Sequence, residues 1–174
     1  MKKTRKFREI AVNHNEKTAT LKKSQICIGM NMEEVQALAP FITPFHLDPG
    51  TDVYEEGDTE AFLCLIISGA VKIYKSYGLP TQRTLAELGV GETVGEMAVI
   101  DEQVRSASAI AITESILYAF TRKNMLEYNK IQPLAWGKLM HNIAVMLCKR
   151  LRRANDMIIE GGLTIDDANE ITPD

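Results

Sequence analysis

Gly91-Glu92-Thr93-Val94-Gly95-Glu96-Met97-Ala98-Val99-Ile100-Asp101-Glu102-Gln103-Val104-Arg105-Ser106-Ala107 is the most informative stretch of this chain. Gly95 closes a short strand and lets the backbone turn tightly, because a residue without Cβ tolerates positive φ. Glu96 to Ile100 then form one helical turn. The first N–H groups of such a turn lack intrahelical acceptors and carry partial positive charge, which suits an anion. Arg105 stands nine residues beyond Glu96, and its fork of donors matches phosphate oxygens. A carboxylate beside a phosphate-binding arginine repels the phosphate unless it accepts hydroxyl donors of its own, and a ribose 2′-OH is such a donor. The two side chains read as one grip on a nucleoside monophosphate. From the residues alone, an ion pair closing a loop is the alternative.

Upstream and downstream of this stretch, between about Phe41 and Phe120, short apolar or alternating runs are divided by turn residues. A spacing of about 8–12 positions is the signature of an all-β sandwich or barrel. The expected strands are Phe41–Leu47, Asp52–Glu55, Phe62–Ser68, Ala70–Ser76, Gln82–Leu88, Ser106–Ala111 and Ile116–Thr121. Phe62 to Ile67 is apolar without interruption, as in a strand covered on both faces.

Helical patterning flanks the β region. Met32, Val35 and Leu38 share a face behind a capping Asn31, and Pro40 and Pro44 end that helix. Thr121 is placed to cap a short helix reaching Asn129. Pro133 suits the first turn of a longer one that runs to Glu160 and stops at Gly161-Gly162. On this last helix Met140, Ala144, Leu147, Leu151, Ala154 and Ile158 step by four and three, and Leu139, Ile143 and Met146 draw a second stripe. Two stripes allow packing on the chain's own core and on a partner, so a homodimer through residues 133–160 is expected. A single broad amphipathic face is the plainer reading.

Composition bounds the rest. The 174 residues include 45% hydrophobic and 25% charged residues, with a net charge of −3, the balance of a soluble globular domain. No apolar run approaches the roughly 20 residues of a membrane span, and the basic start lacks the apolar stretch of a signal peptide. Cys27, Cys64 and Cys148 show no metal spacing and read as free thiols in the cytoplasm. Residues 1–30 are expected to form a basic, loosely structured arm, and residues 161–174 an acidic tail.

Residues 91–107 resemble the phosphate-binding cassette of cyclic nucleotide-binding domains, the modules of catabolite-activator proteins and kinase regulatory subunits. The match lies in Gly95-Glu96-Met97-Ala98 and Arg105-Ser106-Ala107. It extends in family order to Glu56-Gly57-Asp58, to Leu65 through Tyr74 and to Leu85 through Glu92. The resemblance spans about residues 41–155. It implies an α+β fold, a mainly-β, jelly-roll-like β-roll over 41–121, flanked by an N-terminal helix and by C-terminal B and C helices, within a domain spanning 31–160. It implies that Glu96 accepts the ribose 2′-OH and that Arg105 pairs with the cyclic phosphate. Gly95, Met97, Ala98 and Ser106 would complete the cradle, and Ile73, Leu85 and Leu88 would line the base and sugar pocket. Two departures stand out: Val104 replaces the usual proline before the arginine, and Thr93-Val94 replaces the usual aromatic residue.

The function expected on this basis is a cyclic nucleotide sensor, cAMP in preference to cGMP, that signals by helix rearrangement to a dimer or a protein partner. Ser106 and the lack of an obvious guanine-specific donor favour cAMP. Neither a catalytic group, a metal nor a cofactor is expected. A metal-dependent β-barrel enzyme needs clustered ligands, whereas His14, His46 and His141 lie in three separate regions. A DNA-binding regulator needs two further helices, and only twelve residues follow Gly162. An interaction module that keeps the fold and signals without nucleotide is the remaining alternative.

Overall fold

A computed structural model of the chain describes residues 7–76 and 82–160. The described strands are β1 (Arg8–Glu9), β2 (Thr43–Leu47), β3 (Asp52–Tyr54), β4 (Phe62–Ser68), β5 (Val71–Ser76), β6 (Gln82–Leu88), β7 (Thr93–Val94), β8 (Ser108–Ala111) and β9 (Ser115–Thr121). They form two antiparallel sheets, ordered β1-β2-β9-β4-β7 and β3-β8-β5-β6. The helices are α1 (His14–Lys22), α2 (Met32–Leu38), α3 (Glu96–Asp101), α4 (Arg122–Ile131) and α5 (Pro133–Glu160). This is the α+β architecture expected, a β-roll flanked by helices.

The uninterrupted apolar run of β4 has two jobs. Alternate side chains of a strand point to opposite faces, so Leu63 and Leu65 enter a core shared with Val35, Leu38, Phe120 and Tyr128. Phe62, Cys64 and Ile66 enter the core between the sheets, with Val71, Ala109 and Leu117. Full burial of each such large side chain contributes about 1.5–3 kcal/mol. β4 is therefore the septum between the roll and its helical cover.

The helix signals act as their chemistry dictates. The Asn31 side chain accepts from the Glu34 N–H at 2.9 Å, while Glu34 accepts from the Asn31 N–H at 2.6 Å, a reciprocal capping box. Thr121 accepts from the Asn124 N–H at 3.2 Å and opens α4. Pro133 occupies the first turn of α5, where its missing N–H costs nothing.

Of the two stripes on α5, Leu139, Ile143 and Met146 pack into the core with Ala135. Asn142 beside them donates to the Ile26 and Ile28 carbonyls at 3.0 and 2.9 Å, which pins a 3-10 turn at Gln25–Cys27 to the helix. The other stripe divides: Met140 and Leu147 are half-buried against the same core, Ala144 is exposed, Leu151 is 63% exposed, and Ala154 and Ile158 are half-buried.

The loosely structured arm needs correction over its described part, residues 7–30. β1 pairs with β2, and α1 is a nine-residue helix whose Asn13 cap accepts from the Glu16 N–H at 2.8 Å. Leu21, Ile26, Cys27 and Met30 are core residues. The helix itself is polar and buries only Thr18 and Leu21. Tertiary contacts hold it: Lys17 and Lys22 donate to the Ile42 and Met30 carbonyls at 2.8 and 2.5 Å. The acidic tail and residues 1–6 lie outside the described residues.

Candidate functional site

The stretch quoted first folds across the mouth between the sheets. β7 ends at Val94, Gly95 turns the chain at φ +85°, and α3 follows at once. Only glycine fits at position 95. A Cβ there would stand 2.6 Å from Arg105 Nη1, 2.7 Å from the Phe62 carbonyl oxygen and 3.2 Å from Tyr54 Cε1. α3 closes at Glu102, the one described non-glycine residue with positive φ (61°), whose carboxylate pairs with Arg122. The loop then runs inward to Arg105.

Arg105 is 2% exposed. Its guanidinium donates to the Gly95 and Phe62 carbonyls, each at 2.7 Å. It sits in the corner of an edge-to-face pair, 4.1 Å from the Tyr54 centroid and 4.5 Å from that of Phe62, a geometry favourable to a desolvated cation. Its backbone is tied on both sides, N–H to the Asp58 carbonyl at 2.9 Å and carbonyl to the Gly57 N–H at 2.8 Å. The fork is thus set in place before any anion arrives.

Glu96 is 3% exposed. One carboxylate oxygen accepts from Arg150 of α5, whose guanidinium also donates to the Thr93 carbonyl. The second oxygen and the Thr93 hydroxyl beside it reach no partner at full hydrogen-bond geometry among the described residues, although the Thr93 side chain and the Glu96 backbone N–H lie close enough to favour the charged carboxylate. Burial pushes the Glu96 carboxyl above the usual carboxylate range, and Arg150 pulls it part of the way back. A buried acceptor without a donor is costly, and a hydroxyl brought by a ligand would satisfy it.

The side chains enclose a cavity of about 100 Å³ lined by Gly95, Glu96, Met97, Ala98, Arg105 and Ser106. Ile73 and Leu88 form its wall on the second sheet. Leu85 does not join them and is 49% exposed. The register explains why: Ile73 pairs with Ala86 and Tyr74 with Thr84, so Leu85 is the extra residue of a bulge. Ala86 and Leu88 take the inward positions, and Leu85 falls on the other face.

Tyr54, Val94, Ala107 and Arg150 also line the cavity, and the sequence reading named none of them as site residues. For Arg150 a signal was present. Continuing the stripe Leu139, Ile143, Met146 by four positions lands on Arg150, which places a cation on the inward face of α5.

A buried arginine and a buried carboxylate on one small cavity of a β-roll are what the resemblance to cyclic nucleotide-binding domains leads one to expect. Sequence comparison agrees: the cyclic nucleotide-binding domain family matches over residues 44–130, and the chain belongs to that family. It is 35% identical over 135 residues to the cyclic AMP receptor protein of Thermus thermophilus, covering 78% of this chain and 61% of that protein. The chain thus spans about three-fifths of that relative. It is also 30% identical over 126 residues to glutaminase 2 of Bradyrhizobium diazoefficiens, of which it covers only 19%. Among solved structures, a cyclic nucleotide-binding domain from Methylobacillus flagellatus superposes with a TM-score of 0.77 at 25% identity, covering 87% of this chain and 85% of that one. The Thermus thermophilus catabolite activator protein gives 0.68 at 32% identity, covering 80% and 63%.

Proposed function

We propose that this chain is a regulatory binding module, not an enzyme, that senses a cyclic nucleotide and prefers cAMP to cGMP. The observation that carries the reading is the pair Glu96 and Arg105, both buried and both lining one cavity. Arg105 compensates the cyclic phosphate, with the Ser106 hydroxyl and the Gly95, Met97 and Ala98 backbone completing the cradle. Glu96 accepts the ribose 2′-OH on the oxygen that Arg150 does not engage. Ile73 and Leu88 contact the base and sugar. The preference for cAMP is supported by the relative from Thermus thermophilus, a cyclic AMP receptor protein.

Signalling passes through α5. Arg150 links that helix directly to Glu96, so filling the pocket alters what holds α5 against the roll and shifts its population of positions. The outward part of the second stripe, Ala144, Leu151, Ala154 and Ile158, is the surface through which a second copy reads the change. No described helix is long and apolar enough to cross a membrane. The three cysteines are free, which supports the cytoplasm as the location of the module.

One observation favours the alternative, a nucleotide-independent interaction module: Arg150 already supplies Glu96 with a partner. Equilibrium binding of cAMP and of cGMP separates the two readings. Saturable binding, tighter for cAMP, with altered hydrogen exchange in α5 supports the sensor. Absence of binding by folded, ligand-free protein supports the alternative.

A further inference from the structure

Nucleotide binding leaves a run of positive charge on α5 without a use. Residues 149–153 read Lys-Arg-Leu-Arg-Arg. Arg150 is paired with Glu96, whereas Lys149, Arg152 and Arg153 have no carboxylate within 4.0 Å among the described residues. Like charges at this density repel one another along a helix, and only Asp156 on the next turn and Glu92 across the hollow stand against them.

Three of these cations converge on a hollow. Lys149, Arg150 and Arg153 lie on one side of α5 and line a second cavity of about 120 Å³. Gln25 of the 3-10 turn, Glu92 before β7 and Met146 close it. Gln25 adds a neutral amide that can donate. The single carboxylate, Glu92, is turned onto the Gly89 N–H at 2.9 Å. Arg150 lines both this cavity and the nucleotide pocket, so its side chain is the partition between them.

We propose that this second cavity binds a small, soluble phosphate-bearing anion through Lys149, Arg153 and Arg150, and that Arg150 couples it to the nucleotide pocket. The volume suits a phosphate group or a short polyphosphate. Arginine forks match planar pairs of phosphate oxygens, and lysine adds a mobile point charge. An anion seated there draws Arg150 away from Glu96. The buried carboxylate then stands uncompensated beside the place of the cyclic phosphate, and nucleotide affinity falls. By reciprocity the nucleotide weakens the anion by the same factor. The coupling rests on the nucleotide reading; the binding of the anion does not.

The test uses the full chain and inorganic pyrophosphate, titrated calorimetrically at constant ionic strength without nucleotide. Its variant is Lys149→Ala/Arg153→Ala, whose side chains are exposed and whose fold is checked by circular dichroism. Expected are saturable binding by the wild type, at least tenfold weaker binding by the variant, and a threefold or greater rise in the cAMP Kd at saturating pyrophosphate in the wild type alone. Heat no greater than that of matched sodium chloride, or equal binding by the variant, overturns the site. Binding that survives in the variant but disappears in Arg105→Ala puts the anion in the nucleotide pocket and equally overturns it. Variant-sensitive binding with an unchanged cAMP Kd overturns the coupling. Pyrophosphate binding in a protein that ignores cAMP and cGMP supports the site while removing the nucleotide reading.

Discussion

Replacing Gly95 by alanine probes the site at its tightest point. The substitution acts in two ways. The backbone is held at φ +85°, which costs a residue with a Cβ about 1–2 kcal/mol. The added methyl also meets Arg105 Nη1 at 2.6 Å and the Phe62 carbonyl at 2.7 Å, below any ordinary contact. Phe62 lies on β4, paired with both β7 and β9, so its carbonyl cannot retreat and Arg105 must. Overpacking of this kind costs about 1–3 kcal/mol, which with the backbone penalty gives about 2–5 kcal/mol, a large share of a domain's stability. Gly57→Ala is the control, because Gly57 has φ +83° with nothing within 4 Å of a Cβ; its loss is confined to the backbone penalty. Urea denaturation of both variants, with cAMP titration of the folded fraction, gives the comparison. The expected outcome is a clearly larger stability loss for Gly95→Ala and at least tenfold weaker nucleotide binding. Equal losses in the two variants, or unchanged nucleotide affinity in Gly95→Ala, would refute the reasoning.

Other expectations follow from single contacts. Asn142→Ala strands the Ile26 and Ile28 carbonyls that it now satisfies and lowers stability by about 1–3 kcal/mol in denaturant melts. Because the Glu96 carboxyl is held above the usual carboxylate range, acidification protonates it earlier than an ordinary glutamate. The protonated form accepts a hydroxyl poorly, so nucleotide affinity declines as pH falls through that raised value and not above it. The same pH series with Glu96→Gln should be flat. If α5 pairs through its outward stripe, the exposed Cys148 beside Ala144 and Leu151 lies near its counterpart. Mild oxidation then yields a disulfide-linked dimer that Cys148→Ser abolishes; a monomer in sedimentation that never cross-links would count against the seam.

Much of the roll was legible because its signals are local. Phe62–Ser68 and Gln82–Leu88 coincide with the strands observed, and most of the remaining boundaries moved by one or two residues. Turn glycines such as Gly57, Gly69 and Gly91 adopt the positive φ that their position requires. Asn31, Thr121 and Pro133 start helices for reasons contained in a single turn of chain. The illegible parts depend on distance in sequence. α1 is too polar to announce itself and is held by contacts to Met30 and Ile42. Leu85 was misplaced because a bulge with β5 sets which side chains of β6 face inward. Arg150 meets Glu96 across 54 positions, and no local pattern encodes such a meeting, although the inward stripe of α5 points to it. Glu96 and Arg105 could be singled out together because a tight turn and a short loop carry both, and the two line one cavity.

The most direct test is a calorimetric titration of the purified chain with cAMP, repeated for Glu96→Gln and Arg105→Ala. The account predicts saturable one-to-one binding by the wild type. Removing the charge partner of a desolvated phosphate costs about 2–5 kcal/mol, so Arg105→Ala should bind at least thirtyfold more weakly, with a smaller but clear loss for Glu96→Gln. Wild-type binding that neither substitution weakens would place the ligand elsewhere and contradict the account.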